Sequence, residues 1–285
     1  GVRLVGSEMC IRDSIITDSP FREMYYLVPI GWGGSPGDTI TRPQPSDFIR
    51  KYFANKLDGF FIDIGANDGV TWSTTLGLEI NNGWRGICIE PHPDIFKELS
   101  KDKYIYTASP LILDAPDDYR TSLRKELTGR MVHYTGRQAE CIQVAIADKD
   151  GSADFLSFKG SWDSHMLSGL VDTIDPKQRK RDDFKKHSKT AKVKKVKCKK
   201  LQTILDEKDI TEINYLSIDV EGGELNVLNS IDFNKVRIDL ISVEVNFDQD
   251  PINDILEKNG FQFIEKVASD CFYENRAVPR PFRRS

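Results

Sequence analysis

Residues 60–69 read FFIDIGANDG: Phe60, Phe61, Ile62, Asp63 and Ile64, then Gly65, Ala66, Asn67, Asp68 and Gly69. The first half is aromatic or β-branched apart from Asp63, the composition of a short strand buried on both faces. The second half is a sharp turn leading into a helix predicted over 70–81. Gly65 and Gly69 permit backbone conformations and a close ligand approach that a Cβ obstructs. Asn67, between them, is the non-glycine type that best tolerates the left-handed region. Strand, glycine turn and helix N-terminus together make the ligand-binding corner of a doubly wound α/β sheet.

What is missing narrows the ligand. The dinucleotide fingerprint G-x-G-x-x-G seats a pyrophosphate on the helix N-terminus. Here the middle glycine is Asn67, and Asp63 stands two residues before Gly65. A carboxylate at the strand tip repels a pyrophosphate but suits an ammonium or sulfonium, which favours S-adenosyl-L-methionine over NAD. The competing reading is a tight βα turn above a buried, capped Asp63.

The chain of 285 residues has 39% hydrophobic, 10% aromatic and 29% charged residues, values of a soluble globular protein. Forty basic against 44 acidic side chains give a net charge of −4 and no overall drive toward nucleic acid. No apolar run approaches the roughly 18–20 residues of a membrane span. Residues 5–14, VGSEMCIRDS, resemble a translated sequencing-library adapter, so residues 1–14 are set apart from the fold. Residues 15–45, with Gly31, Gly33, Gly34, Pro36 and Gly37, read as an irregular lip. The main domain is expected over 46–275, followed by a frayed tail over 276–285. Cys88, Cys141, Cys198 and Cys271 sit in or beside apolar runs without C-x-x-C spacing, as buried free thiols in a reducing, cytoplasmic setting do.

Along the chain, Ser46 is expected to cap a helix over 47–55, placing Phe48, Ile49, Tyr52 and Phe53 on one face. GICIE, residues 86–90, is a second buried strand ending in Glu90. Glu90 follows Gly69 by 21 residues, where a βαβ unit puts the carboxylate that takes ribose hydroxyls; an ordinary solvated strand-end Glu is the alternative. Residues 104–140 lack periodicity and read as an insertion. CIQVAIA, 141–147, is predicted as the third strand of the sheet, and GSWDSHMLSGL, 160–170, as a loop either functional or anchored in the core.

Residues 176–200 carry thirteen Lys or Arg against Asp182 and Asp183. With Phe184 as the one interleaved aromatic, the segment reads as a solvated helix followed by a strand with Val193, Val196 and Cys198 as its apolar residues. Contact with nucleic acid or with an anionic glycan, lipid or phosphate is the alternative. Strands are further predicted over 214–219, 239–245, 261–266 and 271–274, the last two pairing antiparallel. The alternation implies one parallel-dominated sheet. Asp63, Glu90, Asp219 and Glu244 all fall at or near strand ends, so an acidic mouth is expected on the carboxyl edge.

Four blocks in this order, FFIDIGANDGVTWSTTLGLE, GICIEPHPDIFKEL, VAIADKDG and NYLSIDVEGGELNVLNSIDF, resemble the FkbM-type family of S-adenosylmethionine-dependent methyltransferases over about residues 45–275. The resemblance implies a Rossmann-like class I methyltransferase fold: a mostly parallel seven-stranded sheet, helices on both faces and an antiparallel strand near one edge. It also implies O-methylation of a sugar, glycan or small natural product. The segment 104–140 is longer than the family pattern leads one to expect. By the same resemblance Asp63, Gly65, Ala66, Asn67, Asp68 and Gly69 shape the methionine end of the cofactor pocket, with Asp68 at the start of the following helix. Glu90 takes the ribose, and the backbone of Val144 and Ala145 edges the adenine. Asp219 and Glu221 border the reacting centre. Asp219 is the first candidate for general base, with Glu221, Glu244 and His92 behind it; it can equally hold the cofactor's ammonium. No feature requires a metal. A nicotinamide-dependent oxidoreductase, or a non-catalytic module binding nucleotide or anionic polymer through 176–200, are the readings from other classes.

Overall fold

The computed structural model describes residues 45–53, 56–69, 73–100, 103–105, 132–134, 137, 139–158 and 165–278. The adapter-like leader, the glycine-rich lip, residues 106–131 of the insertion, the first half of the 160–170 loop and most of the tail lie outside the described residues. The elements, in order, are α1 (Pro45–Phe53), β1 (Phe60–Ile64), α2 (Leu76–Asn82), β2 (Arg85–Ile89), α3 (Pro93–Leu99), β3 (Lys103–Ile105) and β4 (Val132–Tyr134). Next come β5 (Glu140–Ile142), β6 (Ala145–Ile146), β7 (Gly151–Ser157), β8 (Gly169–Leu170), a 3-10 turn (Gln178–Lys180), α4 (Asp182–Ser188) and β9 (Lys192–Lys199). The last part holds α5 (Leu201–Glu207), β10 (Glu212–Ile218), α6 (Glu224–Asn229), β11 (Arg237–Glu244), α7 (Asp250–Lys258), β12 (Phe261–Val267) and β13 (Asp270–Asn275).

Seven strands form the main sheet in the order β12-β13-β11-β10-β1-β2-β5. Neighbours from β11 to β5 run parallel, and β13 is antiparallel to both β11 and β12. Chain order reverses between β1 and β10, the switch point outside which such sheets bind ligands. The period of two along each strand divides the core. Phe61, with Tyr215 and Leu240, packs against Ile49 and Phe53 of α1 and Leu78 of α2. Ile62 and Ile64, with Leu216 and Ile218, pack against Leu201 and Leu205 of α5, Val227 and Leu228 of α6, and Leu256 of α7. The sheet is therefore covered on both faces, which is why its strands read as nearly unbroken apolar runs.

Three local expectations are corrected. The helix after the glycine turn starts at Leu76 rather than near residue 70: Thr75 is its cap residue, and just before it Ser73 Oγ accepts from the backbone N–H of Leu76 and Thr75 (3.1 and 3.3 Å), holding the chain in a turn. Gly83, at φ +66°, ends it. The first helix opens with Pro45 at its first position, and Ser46 lies inside it. The single strand expected over 141–147 is two. β5 closes the edge of the main sheet, then the chain turns at Gln143 and β6 pairs with β9 in a second sheet of order β6-β9-β7-β8. Alternation explains the split: Val144 and Ile146 pack into the main core, Ala145 and Ala147 into that of the second sheet.

The basic strand β9 is the centre of this second sheet, paired antiparallel with β7 along its length. Val196 and Cys198 face inward as expected. Val193 has the wrong parity and is 58% exposed. The cysteines at 88, 141, 198 and 271 are free thiols.

Candidate active site

The glycine turn is held at both ends by backbone. The N–H groups of Gly65 and Ala66 donate to the Ile89 carbonyl at the end of β2 (2.9 and 3.0 Å), and Gly69 N–H closes back on the Ala66 carbonyl. Gly65, Asn67 and Gly69 take φ of +85°, +50° and +76°, the left-handed values anticipated from their types. Across the switch point, Asp219 N–H donates to the Ile64 carbonyl at 3.0 Å. A Cβ on Gly65 would stand 1.6 Å from the Asp219 carbonyl oxygen. The first glycine is thus required by the backbone of β10 itself.

Glu90, 8% exposed, reaches over the turn: one carboxylate oxygen accepts from Asn67 N–H (3.1 Å) and the other from His92 N–H (2.7 Å). Burial raises its pKa to about 7, against the opposing pull of those two hydrogen bonds. His92 is removed from the candidate bases. Its Nδ1 accepts from the N–H of Asp94 and Ile95 as the cap of α3, and its Nε2 bonds Ser157 Oγ at 2.8 Å. Burial lowers its pKa to about 4, so the ring is neutral at neutral pH.

The four strand-end acids do not all converge. Asp63 turns toward the α2 face, 6% exposed, where Thr75 Oγ1 donates to it at 2.6 Å. Its charge partner there is Arg137, a residue that periodicity could not single out. Arg137 Nε donates to Glu79 at 2.9 Å. Its NH groups donate to the Gly69 carbonyl (2.7 Å), Ser73 Oγ (3.1 Å) and Thr75 Oγ1 (2.8 Å). The guanidinium lies 5.5 Å from the Phe61 ring centroid. Burial raises the pKa of Asp63, and Arg137 and Thr75 oppose that rise. The sequence held one signal: Asp63 and Glu79 both point into a core, and buried carboxylates call for a cation.

The facing wall is built from IDVEGGE. Asp219, Glu221 and Glu244 hold carboxylate oxygens within 4.8 Å of one another. Glu221 is non-glycine at φ +57° and Gly222 follows at +106°, a bend clamped by Glu224, whose Oε1 accepts from the N–H of Val220 and Gly222 (3.3 and 3.0 Å). Buried Gln178 donates to Glu221 at 2.6 Å, and Asn246 to Glu244 at 2.9 Å. The pKa of Asp219 is driven well above the ordinary carboxylate range by poor hydration, repulsion from Glu244 and Glu221, and a hydrogen bond with Glu244. Asp219 is open to solvent at its surface, so poor hydration means the crowding of the recess, and mutual repulsion is the more robust cause. Glu221 shifts the same way, by burial and then repulsion from Glu244. Such a cluster suits a positive group, whether an ammonium, a sulfonium or a metal cation.

Asp68 is half-buried, and with α2 beginning at Leu76 it does not stand at that helix's start. Val144 and Ala145, expected inside one strand, instead follow the carboxyl end of β5, and both are buried. A cavity of about 510 Å³ is lined by Ile142, Gln143 and Val144 at the end of β5 together with residues of β9 and α5, and its Lys199 is paired with Glu207.

The family model described as the methyltransferase FkbM domain matches residues 63–263. The chain belongs to the FkbM methyltransferase family. Among solved structures, the methyltransferase FkbM of Methylobacillus flagellatus KT is similar at 12% identity and a TM-score of 0.43, over 89% of this chain and 50% of that one. A precorrin-6y C5,15-methyltransferase of Geobacter metallireducens GS-15 follows at 9% and 0.36, over 80% and 84%. A SAM-dependent methyltransferase of Aquifex aeolicus follows at 10% and 0.32, over 80% and 87%. This chain spans half the length of the Methylobacillus protein. No curated protein matched the sequence. These likenesses are too loose to transfer any side chain's role.

The cofactor of this FkbM domain is S-adenosylmethionine. The donor set fits it: a carboxylate acceptor at Glu90 for a ribose diol, and an acidic wall for a cationic methionine end. One consequence concerns pH. If Glu90 takes the ribose, the hydroxyls donate to it best when it is ionised, so binding would lower its pKa below the free value of about 7 and release a proton. Affinity for S-adenosylmethionine is expected to rise with pH toward about 7 and flatten above it, and calorimetry in buffers of different ionisation heat should detect the proton released. Glu90→Gln should remove that slope; a slope unchanged by it would refute the assignment.

Proposed function

We propose that this chain transfers a methyl group from S-adenosylmethionine to a hydroxyl oxygen of a sugar, glycan or small natural product. The observation that carries the reading is the Asp219–Glu244 pair with Glu221, standing beside the glycine turn at the switch point. When bound, the cofactor supplies an electrophilic methyl on a sulfonium. Gly65 to Gly69 and Glu90 would hold its methionine and ribose portions, and Val144 and Ala145 its adenine edge. Asp219 then has two tasks open to a carboxylate here, to attract the positive end and to accept the acceptor's hydroxyl proton.

A sugar hydroxyl is a poor nucleophile at neutral pH, so a nearby base is worth about 10²–10⁴ in rate. The raised pKa of Asp219 makes it a stronger base than an ordinary carboxylate. The rest of the rate would come from holding nucleophile and methyl in line.

Calorimetry with S-adenosylmethionine and NADH, followed by a screen of hydroxylated acceptors for S-adenosylhomocysteine release, tests the reading. Heat with NADH alone would favour an oxidoreductase. Asp219→Asn should leave cofactor affinity within about threefold while lowering turnover by about 10²-fold or more. If affinity collapses instead, Asp219 is a cofactor ligand and the base lies elsewhere.

A further inference from the structure

The basic segment 176–200 is joined to the acidic site. Gln178 is 2% exposed and donates to Glu221 at 2.6 Å. The chain just before it lies on the bend of the facing wall: a Cβ on Gly222 would come within 2.7 Å of the Thr173 carbonyl oxygen. Arg181 acts electrostatically on Glu221. Lys177 stands 6.0 Å over the ring of Phe247, which is 36% exposed and follows the end of β11 three residues beyond Glu244. The 3-10 turn thus forms a basic rim with one exposed aromatic, directly beside the carboxylate cluster.

Compensation of that cluster does not use up the rim. Arg181 serves Glu221, but Lys177 and Lys180 are exposed and form no ion pair among the described residues. A neutral acceptor needs no such cations. An anionic one would be repelled by Asp219, Glu221 and Glu244 unless its charge came to rest on a positive surface next to them. Nucleic acid is the weaker fit. Recognition of single strands relies on several exposed aromatics as stacking platforms. The one aromatic of the basic segment, Phe184, is 5% exposed and packs on Phe158 at 5.1 Å.

We propose that the acceptor is an acidic saccharide whose carboxylate or phosphate rests on the rim of Lys177, Lys180 and Arg181, with a sugar face against Phe247 and its hydroxyl at Asp219. This deepens the function proposed above and rests on it.

The test measures binding to the whole chain, loaded with S-adenosylmethionine, of a hexagalacturonate, a neutral hexasaccharide, pyrophosphate and a single-stranded RNA 12-mer. Cofactor binding is measured separately, so its failure would count against the methyltransferase reading and not against the rim. Hexagalacturonate is expected to bind, more weakly with added salt, and the neutral hexasaccharide not to bind. Competition by pyrophosphate would show that the rim takes phosphate as well as carboxylate. Lys177→Glu with Lys180→Glu should weaken hexagalacturonate about tenfold while leaving cofactor affinity unchanged. The control, Lys235→Glu with Lys258→Glu, makes the same charge change at the amino end of the sheet and should have little effect. Equal binding of the neutral sugar, tighter binding of RNA, absence of hexagalacturonate binding, or equal loss in the control pair would each overturn the proposal.

Discussion

Gly65→Ala is expected to abolish S-adenosylmethionine binding and to destabilise the domain by more than about 4 kcal/mol. The new methyl would sit 1.6 Å from the Asp219 carbonyl oxygen, so the backbones of β1 and β10 would have to separate. They are fixed in register by the ladder pairing Phe61 with Tyr215 through Ile64 with Ile218, and by the Asp219 N–H bond to Ile64. The φ of +85° adds a further cost of roughly 1–2 kcal/mol for any residue with a Cβ. Both halves of the site move together in this variant. Calorimetry with S-adenosylmethionine and a thermal melt provide the check, and a Gly65→Ala protein with normal affinity would mean that β1 and β10 are farther apart than described. Gly151→Ala is the control, since a Cβ there has open space around it although its φ of +140° is unusual.

Replacing Arg137 by methionine should be nearly as damaging, for an electrostatic reason. The substitution takes from buried Glu79 its guanidinium partner, leaving its charge uncompensated beside the Ala139 N–H (3.3 Å), and it takes from Asp63 the charge that opposes its raised pKa. Breaking a buried pair by deleting one member costs about 3–5 kcal/mol, which for a domain of this size lowers the melting temperature by roughly 10 °C. The Gly69 carbonyl and Ser73 lose their donor at the same time, so cofactor affinity should fall as well. The sign of the pH effect separates this from a packing defect. A buried carboxyl with a raised folded-state pKa is protonated in the folded protein where the unfolded chain is already ionised. Stability is therefore present at low pH and lost as pH rises through the folded pKa. The Arg137→Met defect should thus shrink in mild acid, and Arg137→Met combined with Glu79→Gln should recover part of the loss. A defect independent of pH and additive in the double variant would point to packing alone.

How much of this was legible in residue order differs from element to element. FFIDIGANDG announced its strand and turn because every position obeys a local rule: apolar types buried on two faces, and left-handed values at Gly65, Asn67 and Gly69. Asp219 and Glu244 were legible as strand-end acids, since parallel strands put their carboxyl ends on one edge. Asp63 was legible in position but not in direction. Whether an inward side chain of a doubly covered strand meets a ligand or a helix depends on which face it takes, and both faces are apolar in sequence. The start of α2 was misread because nothing local shows that Ser73 Oγ holds the N–H groups of Thr75 and Leu76 in a turn before it. The split of 141–147 escaped because the partner of its second half, β9, lies some fifty residues away.

By itself the sequence determined the main strands and helices of the sheet, the glycine turn, the carboxylate at the end of β2, and membership in a methyltransferase family. These depend on backbone periodicity and on residue types whose conformational limits are intrinsic. The tertiary structure alone decided that Arg137 holds the glycine turn in place and that the basic segment reaches the acidic site through Gln178. Such contacts join residues 43 to 68 positions apart, and a buried charge finds its partner through space, where the cost of leaving it unpaired is paid, with no trace in the residues beside it.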